Sequence, residues 1–176
     1  EGPQPGLSVR ALEWKGTNEG GIDGTWRVLK NIMGIWLVQE CRRSFQRQGR
    51  DLTYTELNRR AEQARPFRSL VDPDAPQFLA PADMPTEIRA WCHARGTPVP
   101  ETDGELVRCA LESLALKYRA VLSGLEGLSG TKVEVLHIVG GGSQNELLDQ
   151  FAANACGRPV IAGPVEATAL GNVLLQ

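Results

Sequence analysis

Apolar residues recur at helical spacing along most of the chain, broken by short connections rich in proline and glycine. Val28, Ile32, Ile35 and Trp36 make one stripe, and Leu29, Met33 and Leu37 widen it. This spacing predicts a long helix over 26–47 that is apolar on most sides and therefore buried on most sides. Gly49 is a stop signal. Thr53, with Glu56 three residues later, has the form of a capping box and predicts a second helix over 53–64, ended by Pro66. Pro66, Pro73, Pro76, Pro81 and Pro85 exclude long regular structure between 66 and 86. Phe67, Leu70, Val71, Phe78 and Leu79 can still anchor that stretch. A short helix follows over 85–95, then a turn, then a helix over 102–122 with Val107, Leu111, Leu114, Tyr118 and Val121 on one face.

The last third changes character. Residues 134–139 are a short apolar run that reads as a strand, followed at once by Gly140, Gly141 and Gly142. A helix is predicted over 143–156, with Leu147, Leu148, Phe151, Ala152 and Ala155 inward and Gly157 closing it. A second strand over 158–162 turns at Gly163-Pro164 into a final helix from near Val165. Strand, helix, strand, helix is an α/β unit. Near the other end, Leu7, Val9 and Ala11 alternate with polar residues and predict a strand over 7–14. The glycine-rich run 18–24 reads as a turn or a ligand-facing loop.

Composition narrows the classes. With 176 residues the chain is long enough for one domain with a hydrophobic core. Net charge is −2, which gives no electrostatic footprint for nucleic acid. No apolar run reaches the roughly 18 residues of a membrane span. Residues 1–6 have neither the basic region nor the apolar core of a signal peptide, so the default expectation is a cytoplasmic protein with no membrane partner. Cys41, Cys92, Cys109 and Cys156 form no CxxC pair, and there are only two histidines. The expectation is separate thiols, most of them packed in helices.

The strongest local signal for chemistry is the strand–glycine–helix junction. Three glycines bend the backbone sharply and let a ligand approach it without a Cβ in the way. The helix behind them offers N–H groups and a positive dipole end. Ser143, Gln144 and Asn145 add polar groups. The junction suits a phosphate or a nucleoside, and it also suits a plain tight turn. The second signal is Asn31 and Gln39, two amides in an otherwise apolar run. On a continuous helix, Asn31, Ile35 and Gln39 drift along one face. Their partners are either backbone groups or the polar edge of a base or ribose. Asp23, Glu40, Glu134, Asp149 and Glu166 are scattered and read as solvated. His137 reads as a strand or core histidine rather than a catalytic one.

Two stretches resemble a known family. Arg27-Val-Leu-Lys-Asn-Ile-Met-Gly-Ile-Trp-Leu-Val-Gln39 is similar to the first long helix of the C-terminal domain of rhamnulokinases, within the FGGY carbohydrate kinases. Ile138-Val-Gly-Gly-Gly-Ser-Gln-Asn145, Phe151-Ala-Ala-Asn-Ala-Cys-Gly157 and Val160-Ile-Ala-Gly-Pro-Val-Glu-Ala-Thr-Ala-Leu-Gly-Asn172 are similar to the end of that domain. Thr17-Asn-Glu-Gly-Gly21 fits ahead of the helix. The resemblance implies an α/β fold of the actin-like ATPase, ribonuclease-H-like type, with ATP in a cleft between two such domains. Residues 1–176 would be a single C-terminal ATP-binding domain, with the N-terminal catalytic domain, its aspartate and most sugar contacts absent from the chain.

The implied reaction is transfer of the γ-phosphoryl group of ATP, with Mg²⁺, to the 1-hydroxyl of L-rhamnulose. The implied nucleotide contacts are Asn31, Gln39 and Gly141, with Gly140, Gly142 and Asn145 as neighbours. The implied partner is the N-terminal half of the same kinase. An isolated half is expected to be inactive and to self-associate through its uncovered face. The resemblance also implies a pairing of Cys92 with Cys109, while a second family pair is broken because Ala152 stands opposite Cys156. Another ketose kinase of the family, for example xylulokinase-like, and a non-catalytic nucleotide-binding or interaction module of the same fold are the alternatives.

Overall fold

The computed structural model describes residues 16–175. The strand expected over 7–14 lies outside them. The first element is a hairpin, β1 (Thr17–Gly20) and β2 (Trp26–Leu29), paired antiparallel with Thr17 opposite Leu29 and Gly20 opposite Trp26. A 3₁₀ turn at Ile22–Gly24 closes it, with Asp23 in the left-handed region at φ 54°. Two expectations are corrected here. The run 18–24 is half strand rather than a free loop, and the helix predicted over 26–47 begins only at Trp36. Trp26, Val28 and Leu29 fit a strand at least as well as a helix, and the hairpin gives them cross-strand partners. Gly34 then discourages helix ahead of the first turn.

Helix α1 (Trp36–Arg47) buries Leu37, Val38, Cys41 and Phe45, and the Trp36 indole N–H donates to the Phe78 carbonyl at 3.1 Å. Helix α2 (Tyr54–Gln63) is capped by Thr53, whose hydroxyl accepts from the Glu56 N–H at 3.2 Å. The Glu56 carboxylate turns instead to Arg59 and Arg60, so only half of the expected box forms. Asp83 caps α3 (Met84–Ala94). The reciprocal capping box appears at Thr102 and Glu105, which start α4 (Asp103–Ser129). This helix runs past the predicted end at 122, to Gly130 in the left-handed conformation. Beyond it, β3 (Leu136–Ile138) pairs in parallel with β4 (Val160–Ala162), and α5 (Glu146–Cys156) makes the crossover between them. The last helix is α6 (Ala167–Leu175).

The core forms where α1, α2 and α5 pack against α4. Between Gly104 and Ala115 every residue of α4 except Glu105 is buried, because neighbours cover that half from all sides. The approach of α2 is close: a Cβ at Gly104 would lie 2.4 Å from the Arg60 carbonyl oxygen. Arg108 sits in this junction. Its guanidinium donates to Glu112 at 2.7 Å and to the Ala61 and Glu62 carbonyls at the end of α2, and it lies 5.0 Å from the centre of the Phe151 ring on α5. The other Glu112 oxygen accepts from the Phe67 N–H at 2.8 Å, fixing that residue at φ 51°. Cys41, Cys92 and Cys109 are buried, and all four cysteines are free thiols. Cys92 and Cys109, the pair implied by the resemblance, are thus not bridged, and the neighbouring Cys92 thiol, with burial, pushes Cys109 up.

Breaking the buried ion pair leaves Arg108 charged without its carboxylate and the Phe67 N–H without its acceptor. Glu112→Ala is expected to cost about 3 kcal/mol in urea unfolding of this chain. A second prediction concerns acid. Burial works to raise Glu105, but the N–H groups of Glu101 and Thr102 and the Arg68 guanidinium outweigh it and hold the carboxyl below its usual range. Asp83, with hydrogen bonds from Ser44 and Thr86 set against its burial, is likewise lowered. A lowered folded value means the stabilisation is complete above the unfolded carboxylate pKa of about 4 and is lost as pH falls through the folded value. Thermal melts should therefore show Tm dropping from about pH 5 to pH 3, with a shallower drop in Glu105→Gln.

Candidate functional site

Strand β3 ends in Val139, and Gly140 then enters the left-handed region at φ 76°, which a side chain would resist. Gly140–Gln144 form a 3₁₀ turn, so the helix predicted to begin at 143 begins at Glu146. The turn is held from inside. The Ser143 hydroxyl donates to the Gly140 carbonyl at 2.8 Å and the Gly140 N–H to the Pro164 carbonyl at 3.1 Å. Gly141 is exposed, and nothing lies within 4 Å of the place a Cβ would take. At Gly142 a Cβ would touch only the Ile138 side chain, at 3.6 Å. The crest of the turn is bare backbone open to a ligand.

Asn145 has a structural task in the junction. It is 5% exposed. Its side-chain oxygen caps α5 by accepting from the Leu148 N–H at 3.0 Å, and its amide exchanges two hydrogen bonds with Asn58 of α2, at 3.1 and 3.3 Å. The side chain is engaged inside the protein, where it holds the start of α5 beside the turn. The first turn of α5 also carries Glu146 and Asp149, and burial, then the Glu146 charge, push the Asp149 carboxyl up. Two acidic groups already answer the dipole there. The first turn of α5 thus carries acidic side chains beside its N–H groups, while the Gly141 crest carries none.

Asn31 is exposed in the connection between β2 and α1, and Gln39 is half-buried in the first turn of α1. The expected helical face through Asn31, Ile35 and Gln39 does not exist, because Asn31 precedes the helix. No side chain caps α1. The connection is nonetheless fixed: Ile32, Met33 and Ile35 pack on the core, and the Met33 N–H donates to Asp74 at 2.6 Å. Leu147, Leu148 and Phe151 of α5 join the same core cluster, so the glycine turn and the Asn31 segment share one foundation.

Other candidates resolve simply. Glu40, expected to be solvated, is buried and paired with Arg43. His137 is an exposed strand residue. A concavity of about 360 Å³ lies where the end of α2 meets the start of α4, lined by Arg60, Gln63, Arg65, Asp103 and Glu105 among others. It contains none of the expected residues. Its charges largely answer one another, Arg60 reaching Asp103 at 3.4 Å and Glu105 pairing with Arg68, so it does not compete as a nucleotide site. Among the described residues, no group of three or more His, Cys, Asp or Glu side chains is placed to hold a metal ion. No helix among them is long and apolar enough to cross a membrane.

Comparison with known proteins bears on what this junction belongs to. Residues 1–176 match the FGGY family of carbohydrate kinases, C-terminal domain. The chain belongs to that family. Its fold is accordingly the actin-like, ribonuclease-H-like ATPase domain, of which the described residues show two two-stranded sheets with their helices. It is 54% identical over 160 residues to a rhamnulokinase of Bacteroides thetaiotaomicron, a match covering 91% of this chain and 32% of the relative. A rhamnulokinase of Pectobacterium carotovorum subsp. carotovorum is 48% identical over 178 residues, covering 100% of this chain and 35% of the relative. One from Mannheimia succiniciproducens is 49% identical over 161 residues, covering 91% and 32%. The chain thus spans about a third of the length of the curated relatives it matches.

Asn58 was not visible as a site residue in the sequence, since its partner is 87 positions away. Asn145→Ala removes the cap and orphans the Asn58 amide, and should cost about 2 kcal/mol. Amide hydrogen exchange in this chain should quicken at Leu148 and across the glycine turn more than in α3.

Proposed function

We propose that this chain is the C-terminal, ATP-binding domain of a longer cytoplasmic kinase that transfers the γ-phosphoryl group of ATP to the 1-hydroxyl of L-rhamnulose. Support for the kinase class comes from the family match. Support for the sugar comes from the relatives, whose names are rhamnulokinase. The observation that carries the nucleotide site is the open crest at Gly141, a backbone face without side chains beside a rigidly held turn. In this reading the nucleoside lies against Gly140, Gly141 and Gly142, and Asn31 and Gln39 supply amides to its polar edge. Asn145 holds the turn from behind.

The described residues offer Mg²⁺ no carboxylate cluster of their own. The ion belongs with the phosphates of ATP and with the N-terminal half, which also supplies the catalytic aspartate and the sugar contacts. Phosphoryl transfer depends on positioning and charge stabilisation from both walls of a cleft, so one wall does not perform it. Val139, Ile161, Leu170 and Val173 are exposed apolar side chains, and an isolated chain self-associates through such a face when its other half is missing.

Three measurements test this reading. The isolated chain should show no phosphorylation of L-rhamnulose above background, and the full-length protein should prefer it to other ketoses. Gly141→Val should leave the melting temperature of this chain within about 2 °C, because open space receives the side chain, yet raise KM for ATP in the full-length enzyme about tenfold or more. Unchanged KM for ATP in that variant removes the glycine crest from the site.

A further inference from the structure

Lys117, on the middle of α4, reaches two carboxylates of the proline-rich segment. Its ammonium lies 2.8 Å from Asp74 and 3.0 Å from Asp72. Asp72 in turn accepts from the Asp74 backbone N–H at 3.2 Å. Burial works to lower Lys117, but the two carboxylates outweigh it and hold its charge more firmly than usual. One Asp74 oxygen is thereby fixed by Lys117. The other accepts the Met33 N–H at 2.6 Å, across 41 positions of sequence. A charged acceptor at that length is a strong tether for a backbone N–H that no helix employs. Met33 is two residues from Asn31. On either side of the tether, Ile32 and Ile35 are packed on the core, while Asn31 and Gly34 are exposed.

We infer that Asp74, braced by Lys117 and Asp72, is a positioning residue for nucleotide binding: it clamps the Met33 backbone so that Asn31 is presented outward ahead of α1. The inference rests on the reading of Asn31 as a nucleotide contact. The physical case is that Asn31 is exposed and lies outside regular structure, so the backbone beside it does much to set its geometry. Apolar packing of Ile32 and Ile35 sets the depth of the segment but is non-directional. The Asp74 bond supplies the direction. Without it, ATP binding must order the segment and is weakened by that cost.

The test uses the full-length enzyme for kinetics and this chain for hydrogen exchange. Asp74→Ala should raise KM for ATP about fivefold while KM for the sugar stays within about twofold. Asp74→Asn keeps an oxygen for the Met33 N–H, and Asp72 remains to face Lys117, so it should restore KM for ATP to near the parental value. In this chain, the Met33 amide should exchange about tenfold faster in Asp74→Ala than in the parent. Glu105→Gln, which weakens the fold at the start of α4, should leave KM for ATP unaltered at temperatures where the enzyme is folded. Where Asp74→Ala does not fold, Lys117→Met is read by the same split between the two KM values.

An unchanged KM for ATP in Asp74→Ala, an equal rise in both KM values, or a Met33 amide that exchanges no faster overturns the inference. If Asn31→Ala raises KM for ATP and Asp74→Ala does not, only the clamp falls. If neither variant raises it, the nucleotide reading of Asn31 falls with it.

Discussion

A guanidinium taken out of water needs partners for its donors and a counter-charge, and the Arg108 site shows how this chain supplies them. Glu112 supplies the counter-charge one turn along α4, the last carbonyls of α2 take a second set of donors, and the Phe151 ring of α5 covers the cation. These partners come from three helices. The helix-end carbonyls are groups that any helix leaves unsatisfied, so Arg108 meets its own need and theirs together. The arrangement is directional where apolar packing is not. It sets where α2 ends against α4 and where α5 lies across both. Since α5 follows directly from the glycine turn, the placement of that turn traces back to this buried charge.

The helices were legible in the sequence wherever a local device marks them. Thr53 and Gly157 act on their own neighbours within a few residues, and the structure uses each at a helix end, whereas the helix read as ending at 122 runs on to Gly130. The region 26–35 was misread for a reason of the same kind. Its apolar spacing satisfies a helix and a strand followed by an irregular anchor equally well. What decides is β1, which pairs with Trp26–Leu29, and Asp74, which takes the Met33 N–H. Periodicity reports which residues are buried, and it reports the backbone only when a single geometry explains that burial.

The site divides along the same line. The glycine crest was legible because three consecutive glycines after an apolar strand already limit what the backbone does there. Asn145 was assigned to the ligand because a polar residue at a helix mouth suits a cap and a contact alike. Its half-buried partner Asn58, in another helix, gives that side chain a structural role that the sequence did not show. Glu146 and Asp149 were present in the sequence throughout, but their joint place in the first turn was seen only once α5 was found to start at Glu146 rather than three residues earlier. A shift of less than one turn brought Asp149 beside Glu146 into the position where the helix dipole acts most strongly.

The two parts of the site are fastened to α4 by separate ionic systems at different heights. Arg108 and Glu112 serve the α5 side. Lys117, through Asp74, serves the Asn31 side. From Arg108 to Lys117 is nine positions, which on a helix is about 13 Å of rise. Helix α4 therefore acts as the ruler between the glycine crest and the segment before α1. In the proposed reading, a nucleotide spanning them would meet a distance set by a rigid element and not by the flexibility of either loop. Both fastenings are hydrogen-bonded ion pairs, whose geometry tolerates little slippage, and the apolar cluster between them resists compression. A nucleotide site of the proposed kind, built this way, would be formed before its ligand arrives, which lowers the ordering cost of binding.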